Sequence, residues 1–360
     1  STRVWGFMTV KLQRKAVVFA TATLSFFMLV FSKAVQRGVA AGLDIAAKMV
    51  IPSLFLFTAA AVFLSKVLAD NTSTAVKKGL NGTALTAFLL SLVSGYPVGA
   101  KLINELYRDG AVTRERAVKM CIYSTNAGPA FIVSAVGERV LGSKSDGLRL
   151  FVCLTVASVL LSVAVELLPS RLFDNLKRKN AQIIPKIQST PTEKRYLTDI
   201  FVESVMESGQ TMLNVCFFVI FFAGIGALLQ ETGFAFSETF RQLLEVTVGV
   251  QDCNRKTLEK AAFLLGFGGV SVIFQVVSAA RDVRPPLKAV VFGRLAHGAL
   301  AAGLIYCAEK LFPRSIETGN FGGFSVNAAG SSGPLAAVAM VILAAVLLDS
   351  GTRLYYNSRS

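Results

Sequence analysis

Long runs free of Asp, Glu, Lys and Arg set the pattern of this chain. They cover 16–32, 49–65, 79–100, 120–137, 150–165, 208–230, 261–280, 295–308 and 318–348. A helix that crosses a bilayer needs roughly 20 largely apolar residues, with a working range of about 17–25. Lipid offers no partner to a backbone N–H or C=O, so only helices and closed barrels cross it. A barrel strand alternates apolar with polar residues, and these runs do not. The pattern predicts an all-α, polytopic membrane protein with about eight spanning helices and, where the runs are interrupted, re-entrant or broken helical hairpins.

Composition agrees. Of 360 residues, 53% are apolar and 16% charged, against roughly 25% charged in soluble domains. Lys and Arg number 37 and Asp and Glu 22, a formal net charge of +15. The placement of that charge argues against a nucleic-acid partner and for a bilayer, because the cations gather between the runs. Arg3, Lys11, Arg14 and Lys15 make the N-terminus basic. The stretch 171–195 carries Arg171, Lys177, Arg178, Lys179, Lys186, Lys194 and Arg195 around Pro185 and Pro191. Arg281, Arg284 and Lys288 flank Pro285-Pro286, and Arg353 and Arg359 lie near the end. The positive-inside rule puts all four on the cytoplasmic side, both termini included. The Gly-, Ser- and Asn-rich stretch 318–333 has no cation and reads as outside. The run 16–32 is longer than a signal-peptide core and lacks a small-x-small site after it, so it reads as a spanning helix. Five cysteines form no C-x-x-C pair and read as packing residues.

Threading the chain through these sides yields an N-terminal helix (1–37), a first repeat (38–170), a basic cytoplasmic linker (171–197), a second repeat (198–310), and an outside loop with a C-terminal helix (311–360). Span 45–69 runs inward, 79–100 must enter and leave on one side, 120–137 runs outward and 149–168 inward. In the second half 205–230 runs outward, 261–280 inward, 287–308 outward and 334–350 inward. The two halves point oppositely, as in an inverted-topology repeat. Residues 117–137 lie on 258–278 without gaps, with Lys119 on Lys260 and Gly128 on Gly269. LLSLVSGYPVGAK (89–101) has a shorter, more polar counterpart in LLEVTVGVQD (243–252); whether 236–252 enters the membrane stays open at this point.

Four segments break helix rules at membrane depth: Ile51-Pro52-Ser53, Ser94-Gly95-Tyr96-Pro97-Val98-Gly99, Asn126-Ala127-Gly128-Pro129 and Gly266-Phe267-Gly268-Gly269 with Ser271. Pro lacks a donor and Gly weakens a helix. The freed backbone groups must line protein or a watered cavity, and the N-termini of half-helices there suit an anion. The candidate substrate-binding residues are therefore Ser94, Gly95, Tyr96, Pro97, Ser124, Thr125, Asn126, Gly128, Pro129, Gly268, Gly269, Ser271 and Gln275, with Lys101 and Arg294 as cations near them. The competing reading is that Gly and Pro serve helix packing and that the two cations snorkel to the headgroups. Glu203 and Glu207, one turn apart at the start of a span, read as interfacial, with carriage of protons or ions as the alternative. The sequence contains no G-x-x-x-x-G-K-[ST] loop and no G-x-S-x-G elbow, and its single histidine, His297, has no obvious partner. An enzyme, a metal site and a cofactor are disfavoured.

VIPSLFLF (50–57), SGYPVGAK (94–101), STNAGPAF (124–131), GFGGVSVIFQ (266–275) and GRLAHG (293–298) resemble the YlbJ/SpoVV sporulation integral membrane proteins, part of the wider nucleoside-transporter-like "gate" group. The resemblance spans about residues 38–310, with Leu56 departing from the proline of the family's PSLFPF pattern. It implies a multi-pass protein of endospore-forming bacteria, placed in the outer forespore membrane and moving dipicolinic acid, a small planar dianion. Three functions stay in play: a secondary transporter of such an anionic or aromatic solute; a nucleoside or nucleobase carrier coupled to protons or sodium; and a non-transporting structural protein of sporulation. Coupling ion, direction and homo-oligomerisation are not legible.

Overall fold

The computed structural model describes residues 2–72, 80–168 and 196–312. Those residues are helical throughout: α1 (Thr2–Val30), α2 (Ser32–Ile45), α3 (Ile51–Thr72), α4 (Leu80–Ser94), α5 (Tyr96–Arg108), α6 (Arg114–Tyr123), α7 (Lys144–Leu167), α8 (Leu197–Glu231), α9 (Ser237–Leu244), α10 (Val246–Gln251), α11 (Leu258–Phe267), α12 (Gly269–Ala279) and α13 (Leu287–Leu311), with wider π-helical turns at Ala46–Val50 and Phe131–Val140. The linker 171–195 and the expected last span, 334–350, lie outside the described residues.

Among the described residues five helical stretches are long and apolar enough to cross a membrane: Ser32–Val67, Lys144–Leu167, Leu197–Glu231, Leu258–Ala279 and Leu287–Leu311. The protein is a polytopic α-helical membrane protein, with large side chains such as Phe217, Phe221 and Phe292 exposed on its flanks, as lipid requires and water would not. The expected count of about eight includes the span at 334–350, which lies outside the described residues; among the described ones 80–108 folds back on itself, 120–137 is divided at 124–128, and 15–30 is a shorter apolar helix.

One expected break is absent. Ile51-Pro52-Ser53 sits in an uninterrupted helical path. The π-helical turn at Ala46–Val50 lies immediately before it, and such a turn accommodates the proline's missing donor without ending the helix.

Two hairpins carry the architecture. Gly95, at φ +90, turns α4 back onto α5. A Cβ on Gly99 would lie 2.5 Å from the Ser91 Cβ, so the α5 backbone rests directly on the Ser91 side chain of the other arm. In the second half Glu245, extended at φ −139, joins α9 to α10. A Cβ on Gly249 would lie 2.7 Å from the Gln242 carbonyl oxygen. Gly99 and Gly249 each stand four residues past their hairpin tip. The segment 236–252 therefore does fold inward.

The long helix α8 measures the hairpins' directions. Near its start Glu207 pairs with Lys101 of the first hairpin and, at 2.7 Å, with Lys66 at the end of α3. Near its end Gln230 donates to Glu238 of the second hairpin at 2.5 Å and Glu231 pairs with Arg37 at 2.9 Å. The hairpins thus enter from opposite ends of α8 and point toward each other. Arg37 and Lys66 mark the same two ends on the α2–α3 path.

Candidate functional site

Each hairpin tip meets a helix break of its own half. A Cβ on Gly128 would lie 3.2 Å from the Val93 carbonyl oxygen and 3.6 Å from the Gly95 nitrogen; one on Gly269, at φ +80, would lie 3.1 Å from both the Leu244 oxygen and the Val246 nitrogen. Only glycine allows such backbone-to-backbone approach. The two glycines matched in sequence play matched parts.

Between the tips lies a small cavity. Ser94, Gly95, Tyr96, Pro97, Gly128 and Gln275 line it, six of the residues expected to bind solute. Its apolar wall includes Val50, Leu54, Phe131, Met212, Val215 and Val272, and Thr58, Thr211, Thr247 and Glu245 add polar groups. The half-helix α5 begins at its edge, at Tyr96, and a helix start carries unpaired N–H groups and partial positive charge; α12 begins at Gly269, packed against the second hairpin tip.

Other expected residues lie behind the wall. Thr125 Oγ1 donates to the Cys121 carbonyl at 3.1 Å, and Asn126 Nδ2 donates to the Tyr123 carbonyl at 3.1 Å. The Asn126 side-chain oxygen accepts from Ser158 at 2.6 Å. These bonds hold the unwound stretch 124–128 in shape. Ser124 is buried with its hydroxyl unpartnered. Pro129 precedes the Phe131–Val140 segment, where a proline costs no helical hydrogen bond. Ser271 accepts from Gln275 Nε2 at 3.1 Å, which aims the amide.

The two cations do not line the cavity. Lys101 lies one turn beyond Pro97 and is held by Glu207; Glu203 joins the same cluster at 3.1 Å from Lys66. That cluster fills the space one helical turn beyond Thr211. Arg294 is 1% exposed. Its Nε donates to the Phe267 carbonyl at 3.0 Å, Nη2 to the Leu265 carbonyl at 3.3 Å, and Nη1 to the Thr125 carbonyl. The guanidinium also stacks over the Tyr96 ring at 5.0 Å, and the Tyr96 hydroxyl donates to the Leu265 carbonyl at 2.6 Å. Bonds to a charged group contribute roughly 1.5–3 kcal/mol each. Arg294 therefore ties the break of one half to the break of the other, filling carbonyls that unwinding left open. Gly268, at φ +80, makes room: a Cβ there would lie 3.0 Å from Nη2.

His297, expected without a partner, has several. Its Nε2 lies 3.1 Å from Ser158 Oγ and 3.0 Å from the Leu154 carbonyl, and Nδ1 lies 3.2 Å from the Gly266 carbonyl. It joins α7, α11 and α13 one turn after Arg294. Among the described residues no three His, Cys, Asp or Glu side chains come together as metal ligands.

Glu245 is what sequence reasoning missed. It lies in LLEVTVGVQD, the segment recognised as the partner of the first hairpin, but its polarity concealed a place at the tip. It is 1% exposed, and its Oε1 accepts from the Thr247 backbone N–H and hydroxyl, both at 3.0 Å.

This geometry defines a class: a polytopic membrane protein whose two oppositely inserted hairpins and two interrupted helices enclose a central cavity. A curated relative sharpens the picture. The chain is 26% identical over 266 residues to the sporulation integral membrane protein YlbJ of Bacillus subtilis (strain 168), which supports the resemblance to the YlbJ family. The match covers 64% of this chain and 64% of that protein's length. No family model matches the chain, and no solved structure does.

Proposed function

We propose that the protein is a secondary transporter of a small anionic aromatic solute of the dipicolinate kind, acting in the outer forespore membrane during sporulation. The observation that carries this reading is the cavity between two opposed hairpin tips, with a charged cluster on either side of it along α8. A site at the junction of inverted halves, built from discontinuous helices, is what alternating access requires. The apolar wall of Leu54, Phe131 and Val215 suits a planar ring, and the helix start at Tyr96 offers N–H groups to a carboxylate. The sporulation role and the solute rest on the likeness to YlbJ-type proteins.

A second reading has one observation behind it. The carboxylate of Glu245 in the cavity would repel a bare anion and accept hydrogen bonds from the hydroxyls of a neutral nucleoside. Purified protein in proteoliposomes decides between them. Labelled dipicolinate should cross, and Gly128→Val, which would press a side chain onto the Val93 carbonyl, should abolish the flux. Flux of nucleosides alone would establish the second reading, and flux of neither would leave a structural protein.

A further inference from the structure

An anion and a buried carboxylate cannot share an apolar cavity unless something neutralises one of them. Glu245 provides the acid. Its Oε1 is satisfied by Thr247, whereas its Oε2 is buried and has no hydrogen-bond partner. Because Glu245 also lines the cavity, the orphan atom belongs to the site's wall. A lone carboxylate oxygen removed from water is costly unless it gains a proton or a counter-charge.

No counter-charge faces it. From α5 comes Tyr96, whose hydroxyl is already donated to the Leu265 carbonyl. From α8 come Thr211 and Met212; the ionised group one turn away, Glu207, is occupied by Lys66 and Lys101. From α12 comes Ser271, whose oxygen accepts from Gln275; its hydroxyl is beside Glu245, carries no charge and does not meet hydrogen-bond geometry with Oε2. From α3 come Leu54 and Thr58, which carry no charge. On the hairpin itself Arg241 pairs with Glu238 at 2.6 Å and with Asp252. Arg294 lies across the Tyr96 ring and is spent on carbonyls.

We propose that Glu245 is a proton-binding site: the solute-occupied cavity carries one proton on its Oε2, so that the anion and a proton bind together. This deepens the transport reading and rests on it for the identity of the anion. The proton leaves bulk water, forms an O–H bond at Oε2, and that hydroxyl becomes a donor to the solute's carboxylate, which the unprotonated oxygen would repel. The protein then moves solute and proton as a pair, and a proton gradient drives the anion against its own.

Two measurements test this. In the first, dipicolinate binding to the purified full chain is followed to pH values above the point at which the infrared titration described next shows Glu245 losing its proton in the empty cavity. Above that point one proton per anion weakens binding about tenfold for each unit of rising pH. Glu245→Gln keeps the shape and an oxygen for the Thr247 donors, and should bind with no such pH dependence. A flat profile in the parent, or an unchanged slope in E245Q, overturns the proposal. The second measurement needs no solute. Infrared titration of the parent should show a protonated carboxylic-acid C=O band that E245Q lacks. If E245Q removes no such band at any pH where the protein is folded, the proposal is wrong. If dipicolinate binds neither protein while the band is present, the transported anion was misassigned and the proton site stands.

Discussion

Gly266→Ala tests the contact that supports the site from behind. A Cβ at Gly266 would lie 2.6 Å from the Gly298 Cα and 2.8 Å from its nitrogen, and a Cβ at Gly298 would lie 2.8 Å from the Phe263 carbonyl. The helices α11 and α13 therefore touch backbone to backbone. Ordinary contact begins at 3.4 Å, so one added methyl must part them by roughly 0.8 Å. Backbone atoms cannot rotate away as a flexible side chain would, and overpacking of this kind costs about 1–3 kcal/mol. The same displacement pulls on Arg294, carried by α13, whose 3.0 Å bond to the Phe267 carbonyl bridges the gap. The matched control is Gly303→Ala on α13, where nothing lies within 4 Å; there the higher helix propensity of alanine acts alone, contributing at most about 1 kcal/mol. Thermal unfolding in detergent, followed by size-exclusion fluorescence, should place G266A several degrees below the parent and G303A at or slightly above it. Solute binding should fall with the former alone. Equal melting of the two variants would refute the backbone contact and the bracing of Arg294 that depends on it.

Thr113 accepts from the Arg116 N–H at the start of α6; Thr113→Ala should lower stability by about 0.5–2 kcal/mol in the same melting assay. Glu207→Gln leaves Lys66 and Lys101 to share a neutral amide, and should destabilise the protein more than Glu231→Gln, whose pair with Arg37 is more exposed and contributes roughly 0–1 kcal/mol. Glu238, outside the spanning helices, is held down to about 2, chiefly by its bonds to Arg241. A depressed carboxylate stabilises the fold above its unfolded value of 4.5 and loses that contribution as pH falls from there toward about 2. Melting temperature should therefore drop through that window in the parent and less in Glu238→Gln; because Glu238 is largely exposed, solvent screening keeps the effect small.

The hairpin at Gly95 was readable because SGYP announces itself: a glycine that must adopt positive φ, followed by a proline suited to a helix start. The interruptions at Asn126–Pro129 and at Gly268 announced themselves likewise. The hairpin at Glu245 did not, since an extended glutamate between two short helices carries no breaker signal. Ile51-Pro52-Ser53 misled in the other direction, because a proline can be absorbed by a π-helical turn that no residue pattern foretells. Lys101 and Arg294 stood at plausible depth for contacts with a solute. Their partners, Glu207 and three carbonyls, come from residues 27 to 169 positions away.

Class and membrane residence follow from the order of residues, because hydrocarbon demands long apolar helices whatever the packing. Which polar groups face the solute is another matter. It depends on how two hairpins 150 residues apart close on one another, measured between Gly95 and Glu245. That closure turns Arg294 into a brace and Glu245 into the wall's lone acid. Hydropathy acts on each stretch alone, whereas the chemistry of a cavity arises only where distant stretches meet.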